Sequence, residues 1–287
     1  GPACLPANSA TVACRNDWHA MADTNMTDNK ESLVLAQQHD HTLWLQLNRA
    51  HAMNALSFDL VEALLQHLQQ AQADDNIRVL VLTGSGKAFC AGADLKNLNE
   101  PRAPGEKDIL DRVVDLLGAV RAFPKPVIAA VNGLALAGGM ELMMCCDLIY
   151  AGDSARIGDA HCNYGIVPGG GGAAIMPRLL PLPIAKYLLF TGEFLPAQKL
   201  LQYGLLNDVV PDDQLFDTIA RVAAIISQKS PIGLQRAKRV ANEALDKTAA
   251  DALRDERLAS RDHFRSWDYR EGITAFMKKR KPEFRGY

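Results

Sequence analysis

The stretch Asn132-Gly-Leu-Ala-Leu-Ala-Gly-Gly-Met-Glu-Leu142 decides how the chain is read. The apolar run before it, Val127 to Val131, suits a strand buried on both faces. The chain then loops past Gly133, and Gly138-Gly139 open a helix expected to run to Cys145. A helix start offers unpaired N–H groups and the positive end of a dipole, a setting for developing negative charge. Glu141 follows Gly138 by three positions, about one turn along the same face. It also reads as a first-turn acid favouring the dipole. Leu136, Ala137, Met140 and Leu142 surround it with apolar neighbours that would desolvate a proton-transfer carboxylate.

Upstream, Arg78 to Thr83 is another apolar run, ended by Gly84. It leads into Ser85-Gly-Lys-Ala-Phe-Cys-Ala-Gly-Ala-Asp-Leu-Lys96, where Gly92 permits close approach and the Ala93 amide is free to donate. Taken alone, that stretch is a turn into the next element. Downstream, Gly165-Ile-Val-Pro-Gly-Gly-Gly-Gly172 is a glycine-rich loop. His161 precedes it, with Asp159 placed to orient the ring.

The remaining elements build around these segments. Residues 33–37 and 42–47 read as a hairpin, and Ser57 caps a helix over 58–73 with Leu60, Leu64 and Leu68 on one face. Helices are expected over 107–123, stopped by Pro124 and Pro126, and a strand over 147–150. Beyond about Pro211 the pattern turns helical, with helices expected over 214–227, 231–244, 249–264 and 268–279. The expectation is an α/β core over 31–211 and a helical subdomain over 212–287. Residues 1–30 lack an apolar segment of a secretory signal, and Asp17, Asp23 and Asp28 disfavour a transit peptide. They are set aside as an N-terminal arm or tag, expected to be poorly ordered.

Composition narrows the partners. The formal net charge of -2 is wrong for a nucleic-acid binder, which needs a basic surface. The longest apolar stretch, 126–137, is too short to span a bilayer and contains Asn132. The six cysteines (Cys4, Cys14, Cys90, Cys145, Cys146, Cys162) lack zinc-ligand spacing and read as reduced thiols of a cytoplasmic protein. A nucleotide-binding α/β domain is a reading of another class, but the chain has no G-x-G-x-x-G. Gly86-Lys87-Ala88 lacks the hydroxyl of a phosphate-binding loop.

In order and context these segments resemble the crotonase (enoyl-CoA hydratase/isomerase) family. Phe89 to Leu95 is similar to its first oxyanion segment, Gly133 to Asp147 to its second segment and helix, and Gly165 to Gly172 to its following loop. Residues 47–56 and 271–282 match its style at either end, so the resemblance covers about 33–287. It implies a spiral of repeated ββα units and C-terminal helices that form a homotrimer, often paired into a hexamer. It also implies an acyl-CoA substrate, with coenzyme A entering only as part of that substrate; the sequence itself shows no motif for a metal, flavin or nicotinamide. The thioester oxygen would sit between the amides of Ala93 and Gly138, and the ligand would run along Ala93, Asp94, Leu95 and Lys96. Arg49, Lys96 or Lys279 would be the candidates for reaching phosphates. The acyl pocket would draw on residues 94–115 and the C-terminal helices.

One position departs from the family. Its hydratases carry two glutamates, and Glu141 fills the first, whereas His161 stands at the second. Its isomerases generally keep the second and dispense with the first. Three readings follow. Glu141 and His161 form a mixed acid/base pair and hydrate a 2-enoyl-CoA. Alternatively, Glu141 acts alone in isomerisation, thioester hydrolysis or carbon–carbon cleavage. In the third reading the chain binds acyl-CoA without catalysis.

Overall fold

The computed structural model describes residues 32–98, 100 and 103–287. The arm expected over 1–30 lies outside the described residues. The hairpin is present as strands β1 (Val34–His39) and β2 (Thr42–Leu47), paired antiparallel. Asp40 turns it with φ 50°, a left-handed conformation that aspartate tolerates. Ser57 caps helix α1 (Phe58–Ala73) by accepting from the Leu60 N–H, and Leu60, Leu64 and Leu68 are buried as their spacing requires.

The core is then wound from strand pairs. β3 (Val79–Gly84) is followed by β4 (Ala88–Cys90), β5 (Val127–Val131) by β6 (Leu134–Leu136), and β7 (Leu148–Gly152) by β8 (Arg156–Gly158). The first strand of each pair joins a six-stranded sheet completed by β10 (Asp208–Val210), in the order β1-β2-β3-β5-β7-β10. The second joins a four-stranded sheet completed by β9 (Leu195–Pro196), in the order β4-β6-β8-β9. The chain therefore climbs one strand in each sheet per turn, the spiral that the family resemblance implies. β2, β3 and β5 are buried at every residue, which explains the continuous apolar runs of Val79 to Leu82 and Val127 to Val131; β2 buries Thr42 and Gln46 among its apolar residues.

Two asparagines close the corners between sheets. Asn54 donates to the carbonyls of Ser85 and Ala88, and Asn132 accepts from the Gly84 N–H while donating to the Gly86 carbonyl. Both meet backbone groups that the turning chain would otherwise strand. Helix α2 (Leu95–Leu98) follows the first pair, and α3 (Ile109–Arg121) comes before β5. α3 is shorter than the expected 107–123, because Asp108 and Asp111 form a capping box at its start. Helix α4 (Gly138–Met144) follows β6 and is buried at every position.

Sequence periodicity did not resolve the stretch after Gly172, where short helices α5 (Met176–Leu179), α6 (Leu182–Thr191) and α7 (Ala197–Gln202) lie. The C-terminal helices are α8 (Leu215–Ser227), α9 (Pro231–Ala244), α10 (Ala249–His263) and α11 (Trp267–Met277). α8 lies against β2, β3, β5 and β7. The last helix begins earlier than expected because Ser266 caps it, accepting from the Tyr269 N–H, and it ends at Met277. Among the described residues no helix is long and apolar enough to cross a membrane.

Candidate active site

The two expected amides come together. Leu56 forms a parallel bridge with Ala93, accepting from the Asp94 N–H while its own N–H donates to the Gly92 carbonyl. In a parallel bridge the bracketed residue turns its own N–H the other way. Ala93 therefore has a free donor. Gly92 makes that bend at φ +98°, where a Cβ would also stand 3.0 Å from the Ala137 Cβ. On the facing segment, Ala137 caps α4 with φ 49° and ψ −120°, a strained conformation for a residue with a side chain. The strain turns the chain so that Gly138 starts the helix with an unpaired N–H. A Cβ on Gly138 would lie only 3.5 Å from the Ala93 nitrogen, so the two amides border one small space.

Glu141 lies on the first turn of α4 and is 3% exposed. Its apolar surroundings are as expected, but it is not left to them. Its Oε1 accepts from the N–H groups of Gly170 and Gly172, both at 2.9 Å. The glycine-rich loop thus supplies the hydration that burial removes. Its Oε2 accepts from no described residue.

His161 sits on a single 3-10 turn, His161–Tyr164, entered through Ala160 at φ 60°. Its Nδ1 lies 3.0 Å from Oδ1 of Asp159, which is 1% exposed. A carboxylate only accepts, so Nδ1 carries the hydrogen. Burial works against charging the ring. The hydrogen bond and charge of Asp159, with the charge of Glu141, outweigh it and raise the imidazole above its ordinary value.

A small chamber of about 70 Å³ is lined by Ala93, Gly138, Glu141 and His161, with Leu110 and Val113 among its apolar walls. It meets a cleft of about 570 Å³ at Ala93, Leu110, His161 and Ile166. Asp94, Leu95 and Lys96 line that cleft, whereas Gly138 borders the chamber alone. Arg49 lines it too, but is already engaged. It donates to the Ala55 carbonyl and pairs with Asp94 at 2.9 Å, fixing the strand that carries Ala93. Burial opposes ionisation of Asp94, but Arg49 and the Lys96 N–H hold its carboxyl below the usual range. Lys279 borders neither cavity, and no residue of the C-terminal helices does, contrary to the expectation for the acyl pocket. Leu110 comes from the expected 94–115 segment and Ile166 and Val167 from the glycine-rich loop, whereas Phe194 lines the cleft without any sequence signal having singled it out.

Two sheets climbed by successive strand pairs, with helices after them, define a crotonase-fold protein. The chain belongs to the enoyl-CoA hydratase/isomerase family, whose profile matches residues 38–287. It is 36% identical over 259 residues to 2,3-dehydroadipyl-CoA hydratase of Escherichia coli, covering 89% of this chain and 99% of that one. It is 34% identical to crotonyl-CoA hydratase of Syntrophomonas wolfei, covering 88% and 97%. The crystal structure of an enoyl-CoA hydratase from Bacillus anthracis matches it with a TM-score of 0.85 and 35% identity, over 89% of this chain and 100% of that one. The chain is thus an acyl-CoA-processing enzyme of the hydratase/isomerase type.

Proposed function

We propose that the enzyme adds water to a short 2-enoyl-CoA, with Glu141 and His161 as the acid/base pair and Ala93 and Gly138 as the oxyanion donors. The observation that carries this reading is the convergence of all four on one chamber. Glu141, an acceptor held by two amides, takes a proton from water as the hydroxyl oxygen bonds to the β-carbon. The double-bond electrons move onto the thioester oxygen, whose charge the two amides receive. Protonated His161 then delivers its Nε2 proton to the α-carbon. The cycle closes when the proton on Glu141 is returned to the imidazole through solvent, so no proton is gained or lost. Coenzyme A takes part only as the carrier of the acyl group, and the cleft along Asp94, Leu95 and Lys96 is its proposed seat.

Chain length follows from the chamber. Its outer wall includes Val114 and Val167, which are 46% and 80% exposed, so a longer tail would emerge into water between them. Extra methylenes would then add little, whereas a buried one is worth about 0.8 kcal/mol, or about fourfold in affinity. A series of 2-enoyl-CoA esters tests this: kcat/KM should stay flat or fall beyond about six carbons. A steady fourfold rise per methylene would overturn the short-chain assignment.

Assembly as a homotrimer or a dimer of trimers is proposed for the helical region over 212–287. Leu253, Leu258, Phe276 and Met277 are between 62% and 83% exposed there, apolar surface of the kind self-association covers. The free thiols of Cys90, Cys145, Cys146 and Cys162 support a cytoplasmic setting.

A further inference from the structure

We propose that Asp159 is a positioning residue that makes His161 a proton donor, by fixing its Nδ1–H tautomer and sheltering its charged form. The inference rests on the assignment of His161 as the acid of the pair. It stands on the packing around the carboxylate. Asp159 is 1% exposed, its Oδ1 accepts from His161 Nδ1 at 3.0 Å, and the His161 backbone N–H approaches the same oxygen at 3.4 Å. Its Oδ2 is buried and has no hydrogen-bond partner. A carboxylate buried in that way stays ionised only beside a compensating charge, and the imidazolium is the group it touches.

The glycine-rich loop is shaped around both carboxylates. A Cβ on Gly172 would stand 2.4 Å from Asp159 Oδ2, and one on Gly170 would stand 2.6 Å from Glu141 Oε2. The same two residues give their N–H groups to Glu141 Oε1. Glu141 thus receives two donors from this loop, and Asp159 receives none. The asymmetry leaves one carboxylate solvated by amides as an acceptor. The other must draw its stabilisation from the ring.

The groups facing His161 are Asp159 on its own segment and Glu141 from α4. Arg49, His51, Asp94 and Lys96 line the adjoining cleft. Arg49 and Asp94 are paired with each other, so they add little net charge at the ring. Both groups that face the ring directly are acidic. Its proton is therefore retained to higher pH than in an ordinary histidine, and donation fails only above that point.

The decisive measurement is a pH titration of the ring nitrogens by NMR in the full-length protein labelled with 15N-histidine. His161→Gln assigns the signals among the seven histidines. The wild type should show an Nδ1–H tautomer when neutral and titrate above about 6.5. Asp159→Asn should titrate lower, move the alkaline limb of kcat to lower pH and cut kcat by at least about tenfold. KM should stay within about twofold, and Asp159→Glu should restore part of the loss. An Nε2–H tautomer or an ordinary titration in the wild type would overturn the proposal whether or not the variant folds. Unchanged titration and pH profile in a folded Asp159→Asn would also overturn it. The titration needs no turnover, so absent hydration alongside a raised Nδ1–H histidine would sink the functional reading and leave the role of Asp159 standing.

Discussion

Glu141 and His161 occupy one chamber but are held by opposite means. Glu141 rides on a buried helix and is met by two backbone amides from a loop about thirty residues away. His161 stands on a short exposed-edge turn and is met by a buried carboxylate two positions before it. Amides around a carboxylate favour an acceptor, and a carboxylate against an imidazole favours a donor. The difference teaches that the histidine need not imitate a second glutamate. It supplies the complementary half of a proton-transfer pair, with its own support built into the sequence as Asp159.

The largest expected effect breaks the acceptor half. Glu141→Gln keeps the shape and the loop contacts but removes the base, and kcat should fall by about 10³–10⁴. Binding of a non-reactive acyl-CoA, followed by calorimetry, should change by less than about twofold.

Gly138→Ala should rank next. The added Cβ meets only ordinary contacts, and alanine favours a helix, so the melting temperature should hold or rise slightly. The methyl would crowd the Ala93 amide, and kcat should fall by about 10²–10³. Equal losses of stability and activity would point instead to a packing role.

On the donor half, His161→Gln should cost about 10² in kcat and abolish the alkaline limb that the ring imposes. The sign follows from the raised imidazole: its charged form serves as the acid, so activity is present below the shifted value and lost as pH rises through it. The smallest effect belongs to the cleft. Lys96→Ala should raise KM a few-fold with kcat unchanged, an effect that weakens as salt screens the ammonium.

Much of this was legible in sequence for a physical reason. Strands buried on both faces, such as Val79–Gly84 and Val127–Val131, write themselves as unbroken apolar runs. Ser57 and Pro231 mark helix starts with local chemistry. The glycines of the site announce close approach, and Asp159 lies near enough to His161 in sequence to suggest the pair. What stayed hidden depends on distant segments meeting. Nothing near Glu141 says that Gly170 and Gly172 will donate to it, and nothing near Arg49 says that it will clamp Asp94 rather than await a phosphate. The short strands β4, β6 and β8 have three residues each, too few for any periodicity to register. The acyl wall was half legible: Leu110 and Val113 fall within the expected 94–115, but the C-terminal helices do not reach the chamber, and Phe194 of the adjoining cleft is an aromatic whose position alone gives it a role.

The most direct test is a spectrophotometric assay of crotonyl-CoA hydration with the wild type and Glu141→Gln, beside a titration with a non-reactive acyl-CoA. Hydration by the wild type, lost in a variant that still binds the ligand, is the expected result. Full hydration by Glu141→Gln, or tight binding by a wild type that hydrates nothing, would contradict the assignment of Glu141 and His161 as a water-adding pair.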